Sequence, residues 1–275
     1  MKNLNIYITE KLKISKAKPK GKVQHTLFPT STTELKQMIN EEIRKNGNDC
    51  SLNHIDTSKI KNMSFLLQGC KCNIDISQWD VSNVTNMSYM FEHSTFDGDI
   101  SQWNVSNVVT MHSMFADSKF NGDIFDWDVS SVEDMSYMFQ KSVFNQDISD
   151  WNVSNVEYMN SMFNDSEFNQ DISNWDVSNV KTMAFMFCDS DFNKPMGKWK
   201  VNNVENMWGM FAGSEFNQNI SNWNINKCTD MSHMFKDSNF NKDISNWKLN
   251  SNCSTYNMFD GCNINKEFIP KGVSI

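Results

Sequence analysis

Eight tryptophans, Trp79, Trp103, Trp127, Trp151, Trp175, Trp199, Trp223 and Trp247, stand 24 residues apart with no slip. A period held this long means one supersecondary unit stacked on copies of itself, because an insertion in any copy would break the register of everything packed beside it. The chain therefore reads as a solenoid. Counting one period back from Trp79 reaches Ile55 and one forward from Trp247 reaches Pro270, so nine copies fit between 55 and 270. The outer copies have drifted: Leu66-Leu67 replaces Met-Phe in the first, and Thr255 replaces a methionine in the last. Terminal repeats have a neighbour on one side only, which relaxes them.

One unit runs from Trp151 to Asn174. Its apolar positions are Trp151, Val153, Val156, Met159, Met162, Phe163, Phe168 and Ile172. One copy alone could not bury them, so stacking must supply the core. Val156, Met159, Met162 and Phe163 have the spacing of a stripe on a short helix. Ser154 with Glu157 has the form of a capping box. The spacing thus predicts a helix of two to three turns starting near Ser154. A short extended piece around Asp171 to Trp175 is expected to pair in parallel with its neighbours. The methionines belong to the same apolar ladder and read as core.

Polar columns repeat too. Asn121, Asn145, Asn169, Asn193, Asn217 and Asn241 align, with Asp97 one step earlier. Stacked amides can bond each other and the turn backbone. Asp75, Asp99, Asp123, Asp147, Asp171 and Asp243 form a second column, interrupted by Pro195 and Asn219. Carboxylates stacked this closely repel unless each accepts N–H bonds or a cation lies between them. Turn capping is the favoured reading over calcium, because the glycine-rich nonapeptide of calcium β-rolls is absent.

The string F-N-x-D-I-S-x-W-D/N-V-S-N-V-x-x-M-x-x-M-F, as in Phe168 to Phe187, resembles the repeat of BspA-like leucine-rich-repeat surface proteins, the mycoplasma-type lipoprotein-associated repeat. The resemblance covers about 55 to 270. It implies an α/β fold, a right-handed leucine-rich-repeat-like solenoid, with adhesion or protein binding as its role and no catalytic residues. Many such relatives are exported or lipid-anchored, whereas Met1 to Glu10 shows neither an apolar signal region nor a lipobox cysteine. The expectation is accordingly a cytoplasmic protein, or a virion-associated one, since similar lysine-rich openings occur in phage and viral sequences.

The organisation expected is a cap over 1–54, made of an extended segment at Asn5 to Thr9 and an amphipathic helix from Thr33 to Asn46 ended by Gly47, then the array over 55–270 and a tail over 271–275. Residues 1 to 54 carry ten Lys/Arg against five Asp/Glu, and the remainder 15 against 28. An acidic array is a poor nucleic-acid surface. No apolar stretch has the length of a membrane span. Seven cysteines share no column, which suits reduced thiols, and Cys70 with Cys72 is too little for zinc. Serines and aspartates recur in every copy, whereas a catalytic group should break the repeat once. The expectation is a monomeric, non-catalytic protein-binding scaffold with no cofactor or metal and an unknown protein partner. An extracellular or virion-surface adhesin, or a carbohydrate- or calcium-binding module, are the alternatives. The partner site is placed where the array is most irregular: Lys194, Lys198 and Lys200 flank Pro195-Met196-Gly197, and Trp208 fills a column of otherwise small or polar residues.

Overall fold

A computed structural model describes residues 23–273; the extended segment expected at Asn5 to Thr9 lies outside them. The period is expressed in space. Asn62, Asn86, Thr110, Asp134, Tyr158, Thr182, Asn206, Asp230 and Ser254 join through eight successive parallel bridges, each linking residues 24 apart. Nine coils are thereby stacked into one solenoid with a single continuous core.

The short helix expected in every copy does not form. Among the described residues the α-helix is α1, Thr32–Asn46, and Lys266–Phe268 is a turn of 3₁₀ helix. Each coil instead runs through overlapping turns. In the coil of Met159, the N–H of Met162 donates to Met159 O (3.4 Å) and that of Asn164 to Ser161 O (3.2 Å). Ser161 (φ 51°) and Asp165 (φ 52°) are left-handed. A left-handed residue every fourth position cannot continue an α-helix. It suits successive turns, which need positive φ at their third residue. The capping box is absent for the same reason. The Ser154 N–H is taken by Asn152 Oδ1 (3.2 Å) in an Asx turn, and the Glu157 N–H by Glu133 O (2.8 Å) in the preceding coil.

Four alternate N–H groups of the segment from Met159 to Asp165 point to the following coil, while the flanking Glu157 and Glu167 donate back to Glu133 O and Ser142 O of the preceding one. The four, on Met159, Ser161, Phe163 and Asp165, donate to the carbonyls of Thr182, Ala184, Met186 and Cys188 in the following coil, at 3.1, 2.8, 2.9 and 2.8 Å. Cross-coil pairing thus lies on this segment, the ladder face. The stretch from Asp171 to Trp175, expected to carry it, is a turn closed by the Trp175 N–H on Ile172 O (3.1 Å).

Inside, the eight apolar positions of the unit are buried in coil after coil. Phe91, Phe115, Phe139, Phe163, Phe187, Phe211, Phe235 and Phe259 form one stack with centroids 5.4 to 5.9 Å apart. The tryptophans form another column, with Trp79–Trp103, Trp175–Trp199 and Trp223–Trp247 each at 6.4 Å. Every one of the eight indole N–H groups reaches a backbone carbonyl of the preceding coil, 27 residues back, from Leu52 O to Ile220 O. That bond explains why tryptophan and not phenylalanine holds the column. A buried indole N–H needs an acceptor, and here it fixes the spacing of two coils.

The two ends differ. At the first coil one carbonyl of the ladder register, Asn62 O, accepts the Thr32 hydroxyl of α1 (2.5 Å), and Lys36 Nζ donates to Phe65 O (2.9 Å), whose equivalents in later coils close turns. Ser31 caps the helix through Glu34 N–H (3.2 Å), Gly47 (φ 91°) ends it, and Leu35 and Ile39 are buried against the array. The register reaches back past Ile55: Leu52 accepts the Trp79 indole and Ser51 bridges Asp75. At the far end the Ile244 N–H donates to Phe268 O (3.0 Å), and Phe268 and Ile269 pack on the last core layer.

A prediction follows from the indole bond. Trp151→Ala should lower unfolding stability by about 3–5 kcal/mol, the usual range for removing a large buried ring. Trp151→Phe keeps most of the packing but leaves Ile124 O only the Trp127 N–H (3.2 Å) of its two donors, and should still cost about 0.5–1.5 kcal/mol, the net worth of one hydrogen bond. Urea unfolding of both variants checks this. A Phe variant as stable as wild type would remove the hydrogen bond from the account.

Candidate functional site

The two recurrent polar columns are structural. Asn121 Oδ1 accepts the N–H of Asn145, Asn145 Oδ1 that of Asn169, and so on through Asn265, with Asp97 Oδ1 serving Asn121 at 2.9 Å. The carboxylates expected to cap turns do so. Asp147 and Asp171 Oδ1 each accept the N–H two residues on, from Ser149 and Ser173, at 2.9 Å. Where Asn219 interrupts the column the same bond is made to Ser221 at 2.9 Å. The buried serines are structural as well: the hydroxyls of Ser166, Ser190, Ser214 and Ser238 each donate to the carbonyl three residues back at 2.8 to 2.9 Å. Sequence reading missed that column because serine is common everywhere in the chain.

Pro195-Met196-Gly197 does not disturb the coil. Met196 is fully buried in the isoleucine column, and its carbonyl accepts the Trp223 indole at 3.0 Å. Gly197 is required by close approach, because a Cβ there would lie 2.7 Å from Asn219 O. Lys194 and Lys198 act on Asp171 of the preceding coil and Lys200 acts on Asp176. Among the described residues no hydrogen bond, ring contact or cation–π contact joins any of these lysines to Trp208.

Trp208 belongs to the ladder face. It is 39 % exposed, its N–H is held by Asn206 Oδ1 (2.9 Å), and its indole meets the Phe185 ring edge-on at 4.3 Å. Phe185 leans over Gly209, where a Cβ would come within 2.6 Å of its ring. The contact chain continues from Trp208 to His233 (6.3 Å) and from His233 to Tyr256 (5.5 Å), which is 67 % exposed. A second run lies nearer the N-terminus: Phe65 stacks on Tyr89 at 4.5 Å, Tyr89 meets His112 at 5.1 Å, and His112 meets Tyr137 at 5.3 Å. Between the runs stands Tyr158, with Lys181 Nζ 5.9 Å above its ring and 2.6 Å from Glu157 Oε2. The outward side of the ladder thus carries an interrupted ribbon of aromatic rings. Of these residues the sequence singled out Trp208 alone, because the rings alternate between two adjacent columns and form no single repeat.

Histidine–carboxylate pairs border the ribbon at His112–Asp134 (3.2 Å) and His93–Asp117 (2.8 Å). Asp134 is half-buried, which pushes its carboxyl up, but hydrogen bonds from His112 and Ser136 outweigh that and hold it below the ordinary value. Among the described residues no group of three or more His, Cys, Asp or Glu could hold a metal ion, and no helix is long and apolar enough to cross a membrane. The concavities are shallow and open, one along the outer side of α1 and one over Ser221 to Asn226 and Asn246 to Lys248. The cysteines correct the expectation of reduced thiols in one place: Cys70 and Cys72 are joined by a disulfide, while Cys50, Cys188, Cys228, Cys253 and Cys262 are free.

The molecule is thus a repeat protein whose coils are built for stacking and whose variable side chains lie outside. Matches to the family described as "Mycoplasma protein of unknown function, DUF285" cover residues 33–143, 118–213 and 166–271, and the chain belongs to that family. No curated protein and no solved structure matches it.

The carboxylate turns give a pH prediction. Asp171, Asp176 and Asp243 are held below the ordinary carboxylate value by hydrogen bonds from Ser173, Ser178 and Ser245. A depressed value in the fold means stability that is complete above the unfolded value, near 3.9, and is lost as pH falls through the lowered one. The melting temperature should therefore be flat around neutrality and fall below about pH 4. Asp171→Asn keeps the Asx acceptor without the charge. It should melt like wild type at neutral pH and lose slightly less on acidification, a difference that thermal melts across the acid range would reveal.

Proposed function

We propose that the chain is a non-catalytic protein-binding scaffold that works through the outward side of the ladder. The supporting observation is the contrast between interior and ribbon. Core positions hardly change along the nine coils, whereas Phe65, Tyr158, Trp208 and Tyr256 stand 39 to 67 % exposed on one face. Exposed aromatics grouped on a rigid support are the side chains from which interface hot spots are made. The serines and carboxylates that could have suggested catalysis are engaged in turns repeated coil after coil. Lys194, Lys198 and Lys200 serve in this reading as a separate, charged margin.

The finer architecture proposed is a right-handed, leucine-rich-repeat-like coil related to the BspA-type surface proteins. Parallel crossover connections are right-handed in nearly all known cases, and a solenoid face is the usual binding surface of such proteins. Trp208→Ala should melt like wild type and lose the partner recovered by affinity capture from cell lysate. Capture as efficient as wild type, with melting unchanged, would move the site off this face.

A further inference from the structure

We infer that the ribbon receives an extended, lysine- and arginine-rich polypeptide segment of a protein partner, lying along the solenoid axis with its cations set between aromatic rings and carboxylates. This rests on the protein-binding reading above and adds the chemistry of the occupant. The chain contains one example of the contact. Lys181 sits over the Tyr158 ring (5.9 Å) while its Nζ is bonded to Glu157 (2.6 Å), and the paired charge raises the affinity of that amine for its proton. It lies between the two aromatic runs. A ring face with a carboxylate beside it is the arrangement that holds a cation, through the ring quadrupole and the opposite charge together.

Exposed carboxylates flank the rings in the sequence on either side of Lys181, two of them already near a cation of the chain: Lys236 Nζ lies 3.9 Å from Asp237, and Glu205 acts on Lys181 itself. Trp208 and His233 follow Glu205 and precede Asp237, both exposed, and Tyr137 follows the exposed Glu133. Residues 55 to 275 carry 28 acidic against 15 basic side chains, so the surroundings repel an acidic partner and attract a basic one. The dimensions also fit. Coils about 4.8 Å apart give the nine-coil ribbon a length of about 40 Å, which an extended segment of about 12 residues spans at about 3.3 Å per residue.

The test uses the full chain and a fluorescently labelled peptide of about 12 residues alternating arginine or lysine with serine, matched to the span above. Controls are a serine–glycine peptide, a serine–glutamate peptide and chito- and cello-oligosaccharides. The basic peptide should bind saturably and weaken as salt rises from about 50 to about 500 mM, which screens charges beyond a few ångströms. Trp208→Ala and Tyr256→Ala should each weaken it by about tenfold, and Glu205→Gln by severalfold, with melting temperatures unchanged. Two ring variants at different coils guard against one that disturbs the fold. Equal binding of basic and neutral peptides overturns the proposal, as does affinity unaffected by both ring variants. So does an oligosaccharide that binds through Trp208 without salt dependence. If lysate capture depends on Trp208 but excess basic peptide does not compete with it, the scaffold reading stands and the cationic occupant is wrong.

Discussion

The structure depends on a hydrogen-bond ladder that runs in one direction. In each coil alternate N–H groups close turns, and the remaining four donate forward to carbonyls of the next coil. Within this ladder segment the donors and acceptors face opposite ends of the solenoid, while on its flanks N–H groups such as those of Glu157 and Glu167 donate to the preceding coil. A coil one residue longer would put every second group out of phase, pointing turn donors at the neighbour. That is the physical reason the 24-residue period never slips, and it acts together with the indole bonds, which span 27 residues in every case.

Ladder polarity also shapes the first end. The ladder carbonyls of the first coil need donors, and α1 supplies the Thr32 hydroxyl to Asn62 O, with the Lys36 ammonium on the neighbouring Phe65 O. A helix offers its own backbone donors only at its first turn, so side chains on its flank do the work. At the other end the segment after the last coil stays in register on a different side, where Phe268 O accepts the N–H of Ile244, 24 residues earlier. The most exposed ring of the ribbon, Tyr256, stands on the coil that Ser254 opens.

The core was legible in the sequence because burial repeats with the period: the tryptophan column, the two phenylalanine columns and the methionines are all where spacing put them. The turn-capping carboxylates and the asparagine ladder were legible for the same reason. The local backbone was not. Apolar residues at i, i+3 and i+7 suit a helix, and they equally suit consecutive turns closed by i to i+3 hydrogen bonds. The signal that separates the two lies in a column that carries no core residue: Gly69, His93, Asp117, Lys141, Asp165, Asp189, Gly213, Asp237 and Gly261, all at positive φ. Glycine and aspartate are enriched where φ is positive, so seven of the nine occupants pointed to a left-handed residue and away from a helix. The ring ribbon was hidden for a different reason. Its members switch between two neighbouring columns, and contact between them exists only once the coils are stacked.

The second left-handed column bears on function. It holds Phe65, Tyr89, Ser113, Tyr137, Ser161, Phe185, Gly209, His233 and Asn257, with φ between 50 and 61°. Glycine takes this conformation without steric penalty, whereas an L side chain in it costs roughly 1–2 kcal/mol. Only Gly209 uses the cheaper residue, and there the Phe185 ring occupies the space a Cβ would need. Five of the nine positions carry an aromatic or imidazole ring, which stability of the coil alone does not call for. Phe65 and Tyr89 stack on each other within the column, while Tyr89, Tyr137, Phe185 and His233 touch rings of the adjoining one. The conformational cost thus recurs at the same place in successive coils, on the face proposed above to meet a partner.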